Sequence, residues 1–306
     1  MKKTLWVAFP RGFCAGVRRA IEITEKCLDL FGAPIYVNHE IVHNQFVVQQ
    51  LQKKGVIFTE DIDAVPENST YIFSAHGVSP QFREKAKSKK LRIIDATCPL
   101  VSKVHSEAEM FHSKGYEILY IGQKNHQETQ GTTGIALMKI LETLTDIEQI
   151  DATLYEGKLV ACLTQTTLSV NDTKAMLDAL KEKIPHLRTP GDICYATTNR
   201  QKAMLELCQK CEAVIVVGSR NSSNSNKLVH LAHDQNLPAI LIDQATDIPK
   251  EYFEFQSVGL SSGASVPESL VQEVIVKFKQ KIPALSVQEL PVCEEKVLFP
   301  LPSEVL

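Results

Sequence analysis

GFCAGVRRAIEITEKCLDLFG (residues 12–32), ATCPLVSKVHSEAEMFHSKG (residues 96–115) and DICYATTNRQKAMLELCQKC (residues 192–211) each set a cysteine directly before an amphipathic helical pattern. After each helix comes a short β-branched run, PIYVN, YEILYIG or AVIVVGS, and after each run a polar cluster, NHEIVHN, KNHQETQGTTG or NSSNSN. Counted from the cysteine, His43 lies 29 residues after Cys14, His126 lies 28 after Cys98, and Ser222 lies 28 after Cys194. A later run in each stretch ends in a second small or polar turn: IFSAHGVSP with His76, CLTQTTLSV with Thr166 and Thr167, and VGLSSGASVPE with Ser265. Strands alternating with helical patterns at a fixed long period describe repeated α/β units with parallel sheets, whose ligands are met at the carboxyl ends of strands.

The fold class expected is therefore α/β, as three similar domains. The spacing divides the chain into residues 1–97 with Cys14, 98–193 with Cys98 and 194–282 with Cys194. The run Leu5 to Phe9 is read as the start of the first unit, and LRIIDATC and LRTPGDIC as its equivalents before Cys98 and Cys194. Residues 283–306, with Pro283, Pro291, Pro300 and Pro302, read as a C-terminal arm.

The chain has 306 residues, 44% hydrophobic and 23% charged, a globular balance that excludes disordered and fibrous classes. A net charge of -3 supplies no global attraction for nucleic acid or anionic lipid, so neither partner is expected. The opening MKKTLWVAFPRG has an apolar run too short for a signal peptide, and no run is long enough for a membrane span. The expected location is the cytoplasm, where the eight cysteines are thiols or metal ligands rather than disulfides.

Three equivalent loops, each with a cysteine at a helix start, offer a three-thiolate constellation. Helix N-termini favour negative charge, which suits thiolate ligands. Three thiolates on tetrahedral zinc or on a four-iron cluster leave one position open, where substrate chemistry takes place. Packing gives no reason to keep cysteine in one register while its surroundings diverge from FCAG to TCPL to ICYA. The other five do not follow the repeat, and the C-x-x-C of Cys208 and Cys211 has no partner pair. His43, His76, His126, Thr166, Ser222, Ser223, Asn224 and Ser265 share the register of the loops; imidazole, hydroxyl and amide donors at helix starts suit a phosphate or diphosphate. Glu128, two residues after His126, is an acid able to deliver a proton, or else an exposed helix-start residue. HEIVH (residues 39–43) matches H-E-x-x-H, which on a helix would make a zinc hydrolase. A third alternative is a non-catalytic phosphate-binding protein with a structural metal.

The motifs PRGFCAGV, HEIVHN, FSAHGVS, DATCPLV, TQTTLSV, DICYATTNRQ and GSRNSSNSN, in that order, together resemble the 4-hydroxy-3-methylbut-2-enyl diphosphate reductase family of LytB type. The resemblance implies a trefoil of three α/β domains around one [4Fe-4S] cluster held by Cys14, Cys98 and Cys194, with one iron open to substrate. It implies reductive dehydroxylation of an allylic diphosphate to isopentenyl and dimethylallyl diphosphate, the last step of the methylerythritol phosphate pathway. By the same resemblance the diphosphate falls to His43, His76, His126, Ser222, Ser223, Asn224 and Ser265, the proton to Glu128, and substrate positioning to Thr166. No G-x-G-x-x-G follows a strand, so the electrons are expected from an external donor of ferredoxin or flavodoxin type.

Overall fold

The computed structural model describes residues 2–306. In chain order the elements are β1 (Thr4–Phe9), α1 (Ala15–Phe31), β2 (Ile35–Asn38), α2 (Gln45–Lys53), β3 (Val56–Thr59), β4 (Thr70–Phe73), α3 (Pro80–Ser88), β5 (Arg92–Asp95) and α4 (Pro99–Ser113). They continue with β6 (Glu117–Ile121), α5 (Gln127–Thr133), β7 (Met138–Leu141), α6 (Leu144–Glu148), β8 (Val160–Thr164), α7 (Val170–Lys183) and α8 (Tyr195–Cys208). The last are β9 (Ala213–Val217), α9 (Ser223–Asp234), β10 (Ala239–Ile242), β11 (Ser257–Ser262), α10 (Glu268–Lys281) and β12 (Ser286–Pro291).

All strand pairings are parallel, in three sheets ordered β3-β2-β4-β5, β7-β6-β8 and β10-β9-β11-β1-β12. The three follow one plan. In each, the first strand after the cysteine helix lies between the second and the third. The segment that leads into the next cysteine then joins the third: β5 beside β4, Arg188 bridged to Ala161 of β8, and β1 beside β11. Thus β1 does not open the first unit, as expected from its position. It joins the sheet built by the last third of the chain, pairing with a strand some 250 residues away, with Thr4 opposite Ser257. LRTPGDIC likewise forms no strand, only that single bridge with Cys162 N–H donating to Arg188 O at 2.8 Å. The expected arm carries a strand of its own, β12, added to the free edge of β1.

By contacts the chain forms two compact units. One holds the segments up to Arg18, Val42–Gln50 and Tyr195–Leu298. Its five-stranded sheet is apolar on both faces, as parallel sheets between helices are. Alternate residues of β9 serve different cores: Ala213, Ile215 and Val217 pack with Val271, Val274 and Phe278 of α10, while Val214 and Val216 pack with Ala203, Met204 and Leu207 of α8 and Leu228 of α9. The other unit, Arg19–Ile41, Leu51–Cys194 and Phe299–Leu306, holds the two remaining sheets. There Leu119 and Ile121 of β6 pack with Met176 and Leu180 of α7, and Ile118 and Tyr120 pack with Val104 and Phe111 of α4. Among the described residues no helix is long and apolar enough to cross a membrane.

Candidate functional site

Each of the three repeat cysteines is the residue before a helix, and each is half-buried. Their backbone amides are fixed in the same way: Cys14 N–H donates to Ala264 O, Cys98 N–H to Ala75 O and Cys194 N–H to Thr166 O, all at 3.0 Å. Ala75, Thr166 and Ala264 each lie two residues beyond their strand, β4, β8 or β11. The equivalence corrects the repeat register by one position: Thr167, not Thr166, corresponds to His76 and Ser265. Four of the other five cysteines are held as neutral thiols. Burial pushes the thiol of Cys27 up to about 11, that of Cys208 to about 11 and that of Cys211 to about 12, and raises Cys162 further still. A thiol held in its neutral form is a poor ligand. Among the described residues no three His, Cys, Asp or Glu side chains form a ready metal cage; the equivalence of the three helix starts is what singles out Cys14, Cys98 and Cys194.

The second set of loops keeps its register. His43, His126 and Ser222 each lie five residues past the last residue of β2, β6 or β9. No helix contains residues 39–43, so the zinc-hydrolase motif lacks the turn that would bring its two histidines to one face.

Within the first unit, His43 is buried and its carbonyl accepts the Ser265 hydroxyl at 2.8 Å. Ser222 caps α9, its Oγ accepting from Ser225 N–H at 3.3 Å and from Ser225 Oγ at 3.0 Å. Ser223 and Asn224 start that helix, and a helix start attracts anions. Asn224 is 4% exposed, yet neither Oδ1 nor Nδ2 has a hydrogen-bond partner. A buried amide left unsatisfied costs stability unless a ligand completes it. Gly263 matters here: a Cβ on it would collide with Ser225 Oγ, so its absence lets the β11 turn close on the start of α9.

Within the second unit, His76 and His126 meet edge to face with ring centroids 5.9 Å apart. His126 caps α5, its Nδ1 accepting from Glu128 N–H at 3.2 Å. An acceptor at Nδ1 leaves the neutral ring's proton on Nε2, the atom that can donate to an anion. Glu128, in the first turn of α5, is 2% exposed. Thr166 clamps it twice, its backbone N–H donating to Oε1 at 2.6 Å and its Oγ1 to Oε2 at 3.0 Å. Burial nevertheless pushes the carboxyl up to about 7, against those two hydrogen bonds and with help from Asp192. Glu128 is therefore a buried acid that carries a proton near neutral pH, not an exposed helix-start residue.

Asp192 is not singled out by the sequence motifs. Its carboxylate accepts Thr164 N–H at 2.9 Å and pairs with Lys103 at 3.1 Å, so Thr164, the last residue of β8, and Thr166, two residues beyond it, each donate a backbone N–H to a carboxylate. Burial and the neighbouring Glu107 raise its proton affinity. The signal was available: an aspartate stands shortly before both Cys98 and Cys194, in DATC and GDIC.

Fold and loops define a three-sheet α/β protein with an equivalent cysteine at the entrance to three helices and a buried acid among polar loops. The chain belongs to the LytB protein family, whose model matches residues 5–279. It is 46% identical to the 4-hydroxy-3-methylbut-2-enyl diphosphate reductase of Actinobacillus succinogenes, over 98% of this chain and 97% of the relative. It is 48% identical to the reductase of that name from Haemophilus ducreyi, again over 98% and 97%. Among solved structures, E-1-hydroxy-2-methyl-but-2-enyl-4-diphosphate reductase from Plasmodium falciparum matches with a TM-score of 0.96 and 44% identity, covering 100% of this chain and 97% of that one. A second, described as (E)-4-hydroxy-3-methyl-but-2-enyl diphosphate reductase, the terminal enzyme of the non-mevalonate pathway, matches with a TM-score of 0.66 and 29% identity over 91% of this chain and 99% of that one.

Proposed function

We propose that this chain reduces (E)-4-hydroxy-3-methylbut-2-enyl diphosphate to isopentenyl and dimethylallyl diphosphate, the reaction that ends the methylerythritol phosphate route to isoprenoids. The allylic C–O bond breaks and the hydroxyl leaves as water with one proton; two electrons and a second proton make the new C–H bond. The observation that carries this reading is Glu128, a carboxyl whose burial keeps it protonated up to about pH 7 and whose orientation Thr166 fixes from two sides. Glu128 delivers the proton to the departing hydroxyl, and the Thr166 hydroxyl positions both partners. A structural metal site in a phosphate-binding scaffold has no use for such an acid.

The diphosphate is taken by His43, His76, His126, Ser222, Ser223, Asn224 and Ser265, imidazole, hydroxyl and amide donors. Gripping the anion fixes the far, hydroxymethyl end of a small substrate, and the entropy of orientation is then met by binding. The unsatisfied amide of Asn224 supports this, since a ligand oxygen at Nδ2 would complete it. Cys14, Cys98 and Cys194 would hold one [4Fe-4S] cluster, which when bound supplies electron transfer and Lewis acidity at the iron left over by three ligands. Its electrons come from a ferredoxin or flavodoxin-type donor in the cytoplasm.

The test is anaerobic purification, iron and sulfide assay, and incubation with the allylic diphosphate under a low-potential reductant. Four irons and four sulfides per chain with formation of both products are expected. A colourless zinc protein that leaves the substrate unchanged would sink the reading.

A further inference from the structure

The turn between β1 and α1, Pro10–Cys14, is tied down by residues that the reaction does not use. Gly12 adopts a left-handed conformation, φ 70°, which glycine tolerates and other residues resist. Its N–H donates to Ser262 Oγ at 2.8 Å, and its carbonyl accepts Arg200 Nη2 at 2.7 Å. Arg200, on α8, is fully buried and also donates to Ala196 O at 2.9 Å. A buried guanidinium needs an anion, and Glu295 supplies it in fork geometry, Nη1 to Oε1 at 3.0 Å and Nη2 to Oε2 at 3.3 Å. Asn199 Nδ2 donates to the same Oε1 at 3.2 Å.

Glu295 belongs to the segment after β12. That strand runs beside β1 from Thr4 opposite Ser286 to Phe9 opposite Pro291, and Val292 N–H donates to Phe9 O at 3.0 Å. The segment thus follows β1 as far as the turn. A second ion pair lies on the way: Arg11 Nη2 meets Glu268 Oε1 at 2.8 Å and Glu289 Oε1 at 3.1 Å. Both arginines next to the Cys14 turn are therefore neutralised in part by carboxylates of residues 286–295.

We propose that residues 286–295 are a strap which, through Glu295 and Arg200, holds the Gly12–Cys14 turn and so positions the Cys14 thiol. The proposal rests on the reading of Cys14 as a cluster ligand. Arg200 and Glu295 are positioning residues: neither meets substrate, and each acts through the Gly12 carbonyl two residues before the thiol. Cys98 stands before α4, outside these contacts, whereas Cys194 directly precedes α8, the helix that carries Arg200.

The experiment uses the full-length, cluster-loaded protein, held anaerobically with a ferrous chelator and iodoacetamide, with alkylation of each cysteine followed by peptide mass spectrometry. In the unaltered chain the three ligand cysteines should be alkylated together as iron leaves. In Glu295→Ala, Cys14 should be alkylated about tenfold faster than before, with Cys98 within about twofold of its former rate. Glu295→Gln, which keeps the shape and one acceptor, should fall between, and Glu295→Asp should restore part of the protection. A uniform rise at all three cysteines would mean general loosening and would overturn the strap, as would no change at Cys14. The ligand reading is judged separately: full iron content in Cys14→Ala would sink that reading, whereas loss of iron there with unaltered alkylation in Glu295→Ala would sink the strap alone.

Discussion

Replacing Thr166 by valine should move the alkaline limb of the reaction upward in pH. The carboxyl of Glu128 holds its proton up to about 7, against an ordinary value of 4.5, because it is buried. At about 1.4 kcal/mol per pH unit, that environment favours the neutral acid by about 3 kcal/mol. The two Thr166 hydrogen bonds oppose it, since donors to a carboxylate favour the ionised form. Valine removes the hydroxyl at 3.0 Å and leaves the backbone donor at 2.6 Å, with nearly the same shape. A hydrogen bond to a charged group is worth about 1.5 to 3 kcal/mol, which corresponds to a move of about one to two pH units. Measured as kcat against pH under anaerobic conditions, turnover of the unaltered chain should fall tenfold per unit above about pH 7. The limb of Thr166→Val should begin near pH 8 to 9, whatever its lower plateau. A limb that stays in place, or moves down, would refute the account of what holds the proton on Glu128.

Glu128→Gln should keep its iron and bind the diphosphate within about twofold, yet lose about 100-fold or more in kcat, as removal of a general acid does; isothermal titration beside single-turnover kinetics checks both halves. The same variant tests the sign of the linkage. The folded chain binds the Glu128 proton more tightly than the unfolded chain, so the stability from this group is full below about pH 4.5 and is lost as pH rises through about 7. Between those limits the urea stability of Glu128→Gln relative to the unaltered chain should improve by about 3 kcal/mol, and a flat difference would contradict the burial argument. Gly263→Ala should raise KM about tenfold or more with its cluster intact, because the new Cβ displaces Ser225 and with it the start of α9 beside Asn224; an unchanged KM would separate that turn from diphosphate binding. Cys98→Ser should lose iron, while Cys27→Ser, at a buried thiol pushed up to about 11, should not, and the reverse would overturn the choice of ligands.

Much of the site was legible because its signals are local. A cysteine before an amphipathic run, a short strand and a polar cluster recur in register, and His43, His126 and Ser222 do fall five residues beyond their strands. Position alone left Glu128 undecided between a buried acid and a solvated helix-start residue, since both write the same letters after His126. Burial settled it: 2% exposure raises the proton affinity that makes the residue useful. The Thr166 and Thr167 ambiguity had the same origin, because loop lengths drift between repeats and only the amide of the following cysteine, donating to Thr166 O, marks the true register.

The alternation of strands and helices, the threefold period, and the cysteines that stand at helix starts are properties of residues near one another along the chain, and all are legible in the letters. Long-range pairing sets which sheet each lead-in segment joins, brings β1 to a sheet built from residues 213–262, and adds residues 286–291 beside it as β12. The physical reason is that side-chain periodicity marks a segment as a strand but is silent about its neighbour. A parallel partner is chosen by backbone hydrogen bonds and by the apolar faces available on both sides, and these are assembled from distant parts of the chain.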